Sequence, residues 1–145
     1  MSNKIYPIGI QNFEKIRKGG YCYIDKTAWI YQMVKTGSYY FLSRPRRFGK
    51  SLLLSTLEAY FQGKKKLFEG LAIEKLEKDW FKYPILHIDL NTEKYDTPER
   101  LENKLNRTLV EWEKIYGAES AETSLAMRFE GIIQRACEKE GQSVV

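Results

Sequence analysis

The chain has 145 residues, of which 43% are hydrophobic and 30% are charged. This composition is typical of a globular protein with one hydrophobic core, and no apolar run approaches the ~20 residues that a membrane-spanning helix needs. The first residues contain no apolar signal segment. The two cysteines, Cys22 and Cys137, are far apart and lack metal-ligand spacing. We therefore expect a cytoplasmic protein with no membrane partner.

The positive charge is concentrated in the first half of the chain. Residues 1–70 carry 13 lysines and arginines against 4 acidic residues, whereas residues 71–145 carry 11 against 15. An anionic partner, either a nucleotide or a nucleic acid, fits this basic half. The alternative is a solvated surface, and that interpretation is favoured for the Lys64-Lys65-Lys66 run.

The first half of the chain predicts short helices alternating with short strands. Asn12 and Asp25 each precede an apolar helical pattern and are expected to cap it. Runs rich in aromatic and β-branched residues predict the strands, and the second of them is expected to lie at the centre of a sheet. The predicted elements are a helix over 13–18, a strand over 21–24, a helix over 26–35, a strand over 39–43 and a helix that ends at Gly63.

The second half predicts one further strand and three helices. They are a short helix over 73–80, a strand over 84–90, a helix from Thr97 to about Gly117 and a helix over 123–139. His87, in the middle of that strand, is expected to be a core histidine. The order of elements predicts an α/β fold, a layered domain with a mainly parallel sheet flanked by helices, in which residues 1–145 belong to one domain.

The segment Arg44–Ser51 lies between a predicted strand and a predicted helix, which is the layout of a phosphate-binding P-loop. In such a loop Gly49 would let the backbone approach a phosphate closely. Lys50 would bridge the β- and γ-phosphates, and the Ser51 hydroxyl would be a ligand of Mg²⁺. The sequence therefore predicts a nucleotide site at this loop.

The match to the standard pattern is incomplete. Arg44 stands where the pattern has its first glycine, and Pro45 has no N–H to donate. The side chains of Arg46 and Arg47 could compensate by contacting phosphate. The alternative is a chance Gly-Lys-Ser in a basic loop. Hydrolysis also needs an acid that holds Mg²⁺. Asp89 ends an apolar run, but a strand-end or turn residue is the favoured interpretation for it.

Two blocks, Tyr23-Ile24-Asp25-Lys26-Thr27 and Arg44 through Leu52, occur here in an order that resembles the N-terminal region of the AAA-ATPase-like family. These are predicted P-loop ATPases of bacteria and archaea, in which arginine at the first loop position is usual. The resemblance implies that ATP and Mg²⁺ are the cofactors and that Lys50 is catalytic. It implies that the nucleotide is bound by Arg46, Arg47, Phe48, Gly49, Lys50, Ser51 and Leu52.

The resemblance also implies a fragment that ends before the family's acidic (Walker B) strand, which Ser143-Val144-Val145 would begin. We therefore expect residues 1–145 to be a weak binder and a very poor hydrolase. The implied partners are the remainder of its own chain, including a nuclease-like domain, and the alternative function is a nucleic-acid-binding or protein-interaction module. Asp25, Lys26 and Thr27 are either accessory nucleotide contacts or a helix cap, and both interpretations stay open.

Overall fold

The computed structural model describes residues 5–92 and 94–145, and the regular structure in this part of the chain is helical. Each helix that the sequence predicts is present, with bounds that differ from the prediction by a few residues. The elements are α1 (Phe13–Lys18), α2 (Thr27–Thr36), α3 (Lys50–Phe61), a 3₁₀ turn (Lys65–Phe68), α4 (Ala72–Leu76), α5 (Pro98–Tyr116) and α6 (Leu125–Glu140).

The predicted α/β fold is wrong, because no residue among 5–92 and 94–145 lies in a β-strand and there is no parallel sheet. The predicted strands over 21–24, 39–43 and 84–90 are irregular segments. Tyr39 and Phe41, expected at the centre of the sheet, are 96% and 93% exposed. A helix satisfies its backbone groups within itself, whereas a strand needs a neighbouring strand to pair with, so an apolar run alone does not produce one.

Local signals at the helix ends explain why the helices could be predicted. The Asn12 side chain accepts a hydrogen bond from the N–H of Lys15 at 3.0 Å, which caps α1. Ser124 does the same for the N–H of Met127 at 3.2 Å, so α6 begins one residue after Ser124. Gly141 ends α6 in the left-handed conformation, with φ of +65°.

The chain divides into two compact units, Met1–Phe81 and Lys82–Val145, called here the N-terminal unit and the C-terminal unit. In the N-terminal unit, α1 packs on α3 and α2 packs on α4. Its core contains Phe13, Ile30, Tyr60, Phe68 and Ile73. That residues 1–145 belong to one domain stays a prediction.

One acidic side chain is buried in the N-terminal unit. Glu77 is 4% exposed, accepts a hydrogen bond from the hydroxyl of Tyr60 and forms an ion pair with Lys35 at 3.0 Å. Burial by itself would raise the pKa of Glu77, but the hydrogen bonds from Tyr60 and Lys35 outweigh it and lower that pKa. The carboxylate thus links α2 and α3 to the segment that follows α4.

In the C-terminal unit, α5 and α6 pack against each other around Leu109, Trp112 and Ile132. Arg128 of α6 donates two hydrogen bonds to Glu113 of α5, at 2.6 and 2.8 Å. This bidentate pair fixes the register of the two helices. No helix in the described ranges is both long enough and apolar enough to cross a membrane.

Candidate phosphate-binding site

The loop over residues 44–51 leads directly into α3, which begins at Lys50. Its backbone contains two left-handed residues, Arg47 with φ of +67° and Gly49 with φ of +78°. A left-handed residue is uncommon for a side chain larger than glycine, so Arg47 marks a tightly turned loop. Turns of this kind can direct successive N–H groups toward an anion.

The N-terminus of α3 offers backbone donors without a competing acid. Gly49 precedes the helix and provides no side-chain cap, and the first turn contains no acidic residue. The carbonyl of Gly49 accepts the first helical hydrogen bond, from the N–H of Leu53 at 2.9 Å. The N–H groups of Lys50, Ser51 and Leu52 therefore have no acceptor in the preceding turn. Together with the helix dipole they favour a negatively charged ligand.

The side chain of Lys50 folds back over the loop that precedes it. Its ammonium group donates hydrogen bonds to the backbone carbonyls of Arg44 and of Pro45, the latter at 2.9 Å. Arg44 in turn donates from its guanidinium to the carbonyl of Phe48 at 3.4 Å. The side chains of Lys50 and Arg44 thus stabilise the loop by hydrogen bonds to its backbone carbonyls, and these bonds hold the positive charge of Lys50 next to the loop backbone.

The remaining predicted contacts are available to a ligand. Arg46, Arg47, Phe48 and Ser51 are exposed, and the structure shows no hydrogen bond or ion pair from the two guanidiniums to any other residue within 5–92 or 94–145. Leu52 is half-buried and packs against the core of the N-terminal unit, so its side chain anchors the helix. Ser51 could hold Mg²⁺ together with phosphate oxygens, since Mg²⁺ commonly takes one or two protein ligands and completes its shell from the substrate.

The Asp25-Lys26-Thr27 block forms a hydrogen-bonded clasp between α2 and α4. The Asp25 carboxylate accepts from the backbone N–H and the hydroxyl of Thr27, at 2.8 and 2.6 Å, and from the N–H of Ala72 at 2.7 Å. The Thr27 oxygen accepts the N–H of Ile73 at 3.1 Å. Burial alone would raise the pKa of Asp25, but these hydrogen bonds outweigh it and lower that pKa. Asp25 and Thr27 therefore have structural roles.

Lys26 differs from its two neighbours. It is exposed and lines a cavity of about 650 Å³ within the N-terminal unit. Arg44, Phe48 and Gly49 of the loop line the same cavity. The structure therefore brings Lys26 and the loop to one cavity, while Asp25 and Thr27 are used within the fold.

Asp89 lies in the C-terminal unit and is exposed. Its carboxylate accepts the N–H of Asn91 at 2.8 Å, and this bond is the main reason why the pKa of Asp89 is lowered. This contact fits a turn residue, which was one of the two structural interpretations for Asp89; the other, a strand end, is wrong because residues 84–90 form no strand. His87 is exposed, so its predicted place in a core is wrong. Among the described residues, no group of three or more His, Cys, Asp or Glu side chains could hold a metal ion.

Sequence reasoning missed the contacts that depend on distant residues. Asp25 and Ala72 are 47 positions apart, and no local pattern connects them. The Asp-x-Thr spacing of Asp25 and Thr27 was the one available signal, because an aspartate often accepts from the N–H two residues later. Nothing in the sequence indicated the hydrogen bonds from Lys50 to the carbonyls of Arg44 and Pro45, since they depend on the path of the loop backbone.

The site therefore joins a basic loop, residues 44–51, to the N-terminus of a helix. Residues 7–145 match the family described as Predicted AAA-ATPase. The chain belongs to this family, as the two sequence blocks predicted.

A relative from Azotobacter chroococcum mcd 1, named as an uncharacterized protein in the vnfD 5′ region, is 41% identical to this chain over 147 residues. The alignment covers the whole of this chain and 28% of the relative. The chain thus spans a little over a quarter of the length of that relative. No solved structure matches this chain.

Proposed function

We propose that the loop over residues 44–51 and the first turn of α3 bind the triphosphate of ATP. The observation that carries this proposal is the position of Lys50, whose ammonium group lies on the loop carbonyls of Arg44 and Pro45 at the start of the helix. Membership of a family described as Predicted AAA-ATPase supports it.

Each residue of the loop has a distinct role in this proposal. Lys50, the proposed catalytic residue, exchanges the two carbonyl oxygens for oxygens of the β- and γ-phosphates. Backbone N–H groups from Gly49 to Leu52 point at phosphate. Ser51 becomes one ligand of the Mg²⁺ that the nucleotide brings. Arg46 and Arg47 add positive charge through their exposed side chains.

Hydrolysis requires an acid that holds Mg²⁺ and a group that orients water. Asp89 is engaged in a turn with Asn91, which makes it a poor candidate for either task. We therefore propose that residues 1–145 bind ATP weakly and turn it over very slowly, and that the whole protein hydrolyses ATP with acids supplied elsewhere. A nuclease-like domain in the whole protein is a further part of the proposal, as is a cytoplasmic location.

The test is a calorimetric titration of the chain with Mg·ATP. Lys50→Ala is expected to weaken binding by roughly 10- to 100-fold, since a hydrogen bond to a charged group contributes about 1.5–3 kcal/mol. Lys66→Ala is the control, because Lys66 is an exposed lysine of the same N-terminal unit and lies outside the loop. Equal affinity of the Lys50→Ala variant and the unchanged chain would overturn the proposal.

A second candidate function is binding of a nucleic-acid backbone, favoured by the exposed guanidiniums of Arg46 and Arg47. In that case the logarithm of the affinity for single-stranded DNA falls steeply with the logarithm of the salt concentration. Lys50→Ala then removes about one phosphate contact, and Mg·ATP competes poorly. A titration of DNA at several salt concentrations, with and without Mg·ATP, separates the two functions.

A further inference from the structure

The cavity beside the loop is large enough for more than phosphate. Its volume is about 650 Å³, within the range of roughly 300–1,000 Å³ that small-molecule sites occupy. It lies wholly within the N-terminal unit, and its walls come from residues 6–7, 22–24 and 26, from α1, α2 and α3, and from Leu42 and the loop. It is therefore continuous with the proposed phosphate site.

The walls of this cavity are mainly apolar and include several aromatic rings. Tyr6, Trp29 and Phe48 line it, and they are 74%, 73% and 61% exposed. Their exposed rings are open to contact by a ligand in the cavity. Aromatic rings at a cavity of this kind provide stacking surfaces for a nucleobase, because every base has a π-face.

The charged groups at this cavity have one sign. Lys26 and Arg44 line it, and no acidic side chain does so among the described residues. The backbone on both sides of Lys26 is held in place, because Asp25 is bound to the N–H of Ala72 and Thr27 to the N–H of Ile73. The clasp thus fixes a lysine at the cavity wall, where it favours an anionic ligand.

We infer that this cavity holds the base and ribose of the nucleotide, with Trp29 as a stacking surface for the base and Lys26 as a positive charge toward the phosphates. This inference rests on the proposed binding of the triphosphate at the loop. It assigns the site to a nucleoside triphosphate rather than to an inorganic polyphosphate. It also gives the exposed side chains of α2 a role that the loop alone does not explain.

The experiment compares two ligands that share the triphosphate and differ in the nucleoside. Mg·ATP and Mg·tripolyphosphate are titrated separately into the chain, into Trp29→Ala and into Phe81→Ala. Phe81 is the control because it is an exposed aromatic residue of the same unit, 52% exposed, and does not line the cavity.

The chain is expected to bind Mg·ATP at least about tenfold more tightly than Mg·tripolyphosphate. Trp29→Ala is expected to weaken binding of Mg·ATP about tenfold and to leave binding of Mg·tripolyphosphate unchanged. Phe81→Ala should change neither affinity. Lys26→Ala should weaken binding of Mg·ATP several-fold. If circular dichroism shows that Trp29→Ala has lost its helices, Trp29→Leu, which keeps an apolar side chain without the ring, gives the same comparison.

The two proposals fail in different ways. Equal affinity for the two ligands, or an equal loss of both in the Trp29 variant, overturns the nucleoside site and leaves the phosphate site intact. Binding of neither ligand overturns the phosphate site and the nucleoside site together.

Discussion

The Asp25-Lys26-Thr27 block and the loop over residues 44–51 lie in the same compact unit, yet they use their polar groups in opposite ways. Asp25 and Thr27 direct their side chains at the backbone of α4. In the loop, Arg46, Arg47 and Ser51 are exposed. A distinctive sequence block can therefore be structural, because the neighbours of a residue decide its role.

Lys26 of the block and Lys50 of the loop also differ in their surroundings. Lys26 is held between two anchored residues and lines the cavity, whereas Lys50 lies on the carbonyls of its own loop. Substitutions in the block should therefore change stability most, and substitutions in the loop should change ligand binding most.

The largest effect is expected for Thr27→Val. Valine has nearly the same shape but cannot donate to Asp25 or accept the N–H of Ile73, and Thr27 is completely buried. Loss of these bonds should lower the free energy of unfolding by about 2–3 kcal/mol, measured by urea denaturation. Thr36→Val, at an exposed position of the same helix, is the control. A cost for Thr27→Val no larger than that of the control would contradict the structural role of the block.

A smaller effect is expected for Gly49→Ala. An added Cβ would meet no atom within 4 Å, but φ is +78°, and a left-handed alanine costs about 1–2 kcal/mol. The free energy of unfolding should fall by that amount, with affinity for Mg·ATP reduced in calorimetry. Gly9→Ala is the matched control, because Gly9 has φ of +75° and an added Cβ there also meets no atom within 4 Å. It should lower the free energy of unfolding but leave the affinity for Mg·ATP unchanged. Equal affinities in the two variants would count against the loop as the site.

The smallest effect, about 1 kcal/mol, is expected for Asp25→Asn, because water screens this exposed carboxylate. The folded-state pKa of Asp25 lies below its ordinary value of 3.8. Its ionised form therefore stabilises the fold above that pH, and the contribution is lost as pH falls through the lower, folded-state pKa. Urea unfolding at several pH values should show the gap between the chain and the variant closing on acidification. A gap that widens instead would contradict this account.

The helices could be predicted because their signals are local. The pattern from Phe13 to Lys18, with its Asn12 cap, gave the bounds of α1 as observed. The strands could not be predicted reliably, since Tyr39 to Leu42 have strand-forming side chains but no pairing partner in the described residues. For the same reason the prediction of a parallel sheet was wrong.

The loop at residues 44–51 was visible in the sequence as a motif, but its internal contacts were not. Gly49 was expected to let the backbone approach a phosphate closely, which stays a prediction; its left-handed φ of +78° is a feature that the motif did not predict. The bonds from Lys50 to Arg44 and Pro45 depend on the three-dimensional path of the loop. The clasp of Asp25 and Thr27 depends on α4, which begins 45 or more positions later.

The most direct measurement is the melting temperature of the chain and of Lys50→Ala, each with and without Mg·ATP. A ligand that binds only the folded state raises stability by about 2.7 kcal/mol at 100 times its dissociation constant. We predict that Mg·ATP raises the melting temperature of the unchanged chain but not that of the Lys50→Ala variant, each compared with the same protein without ligand. No rise in the unchanged chain, or an equal rise in both proteins, would contradict the assignment of the loop as the nucleotide site.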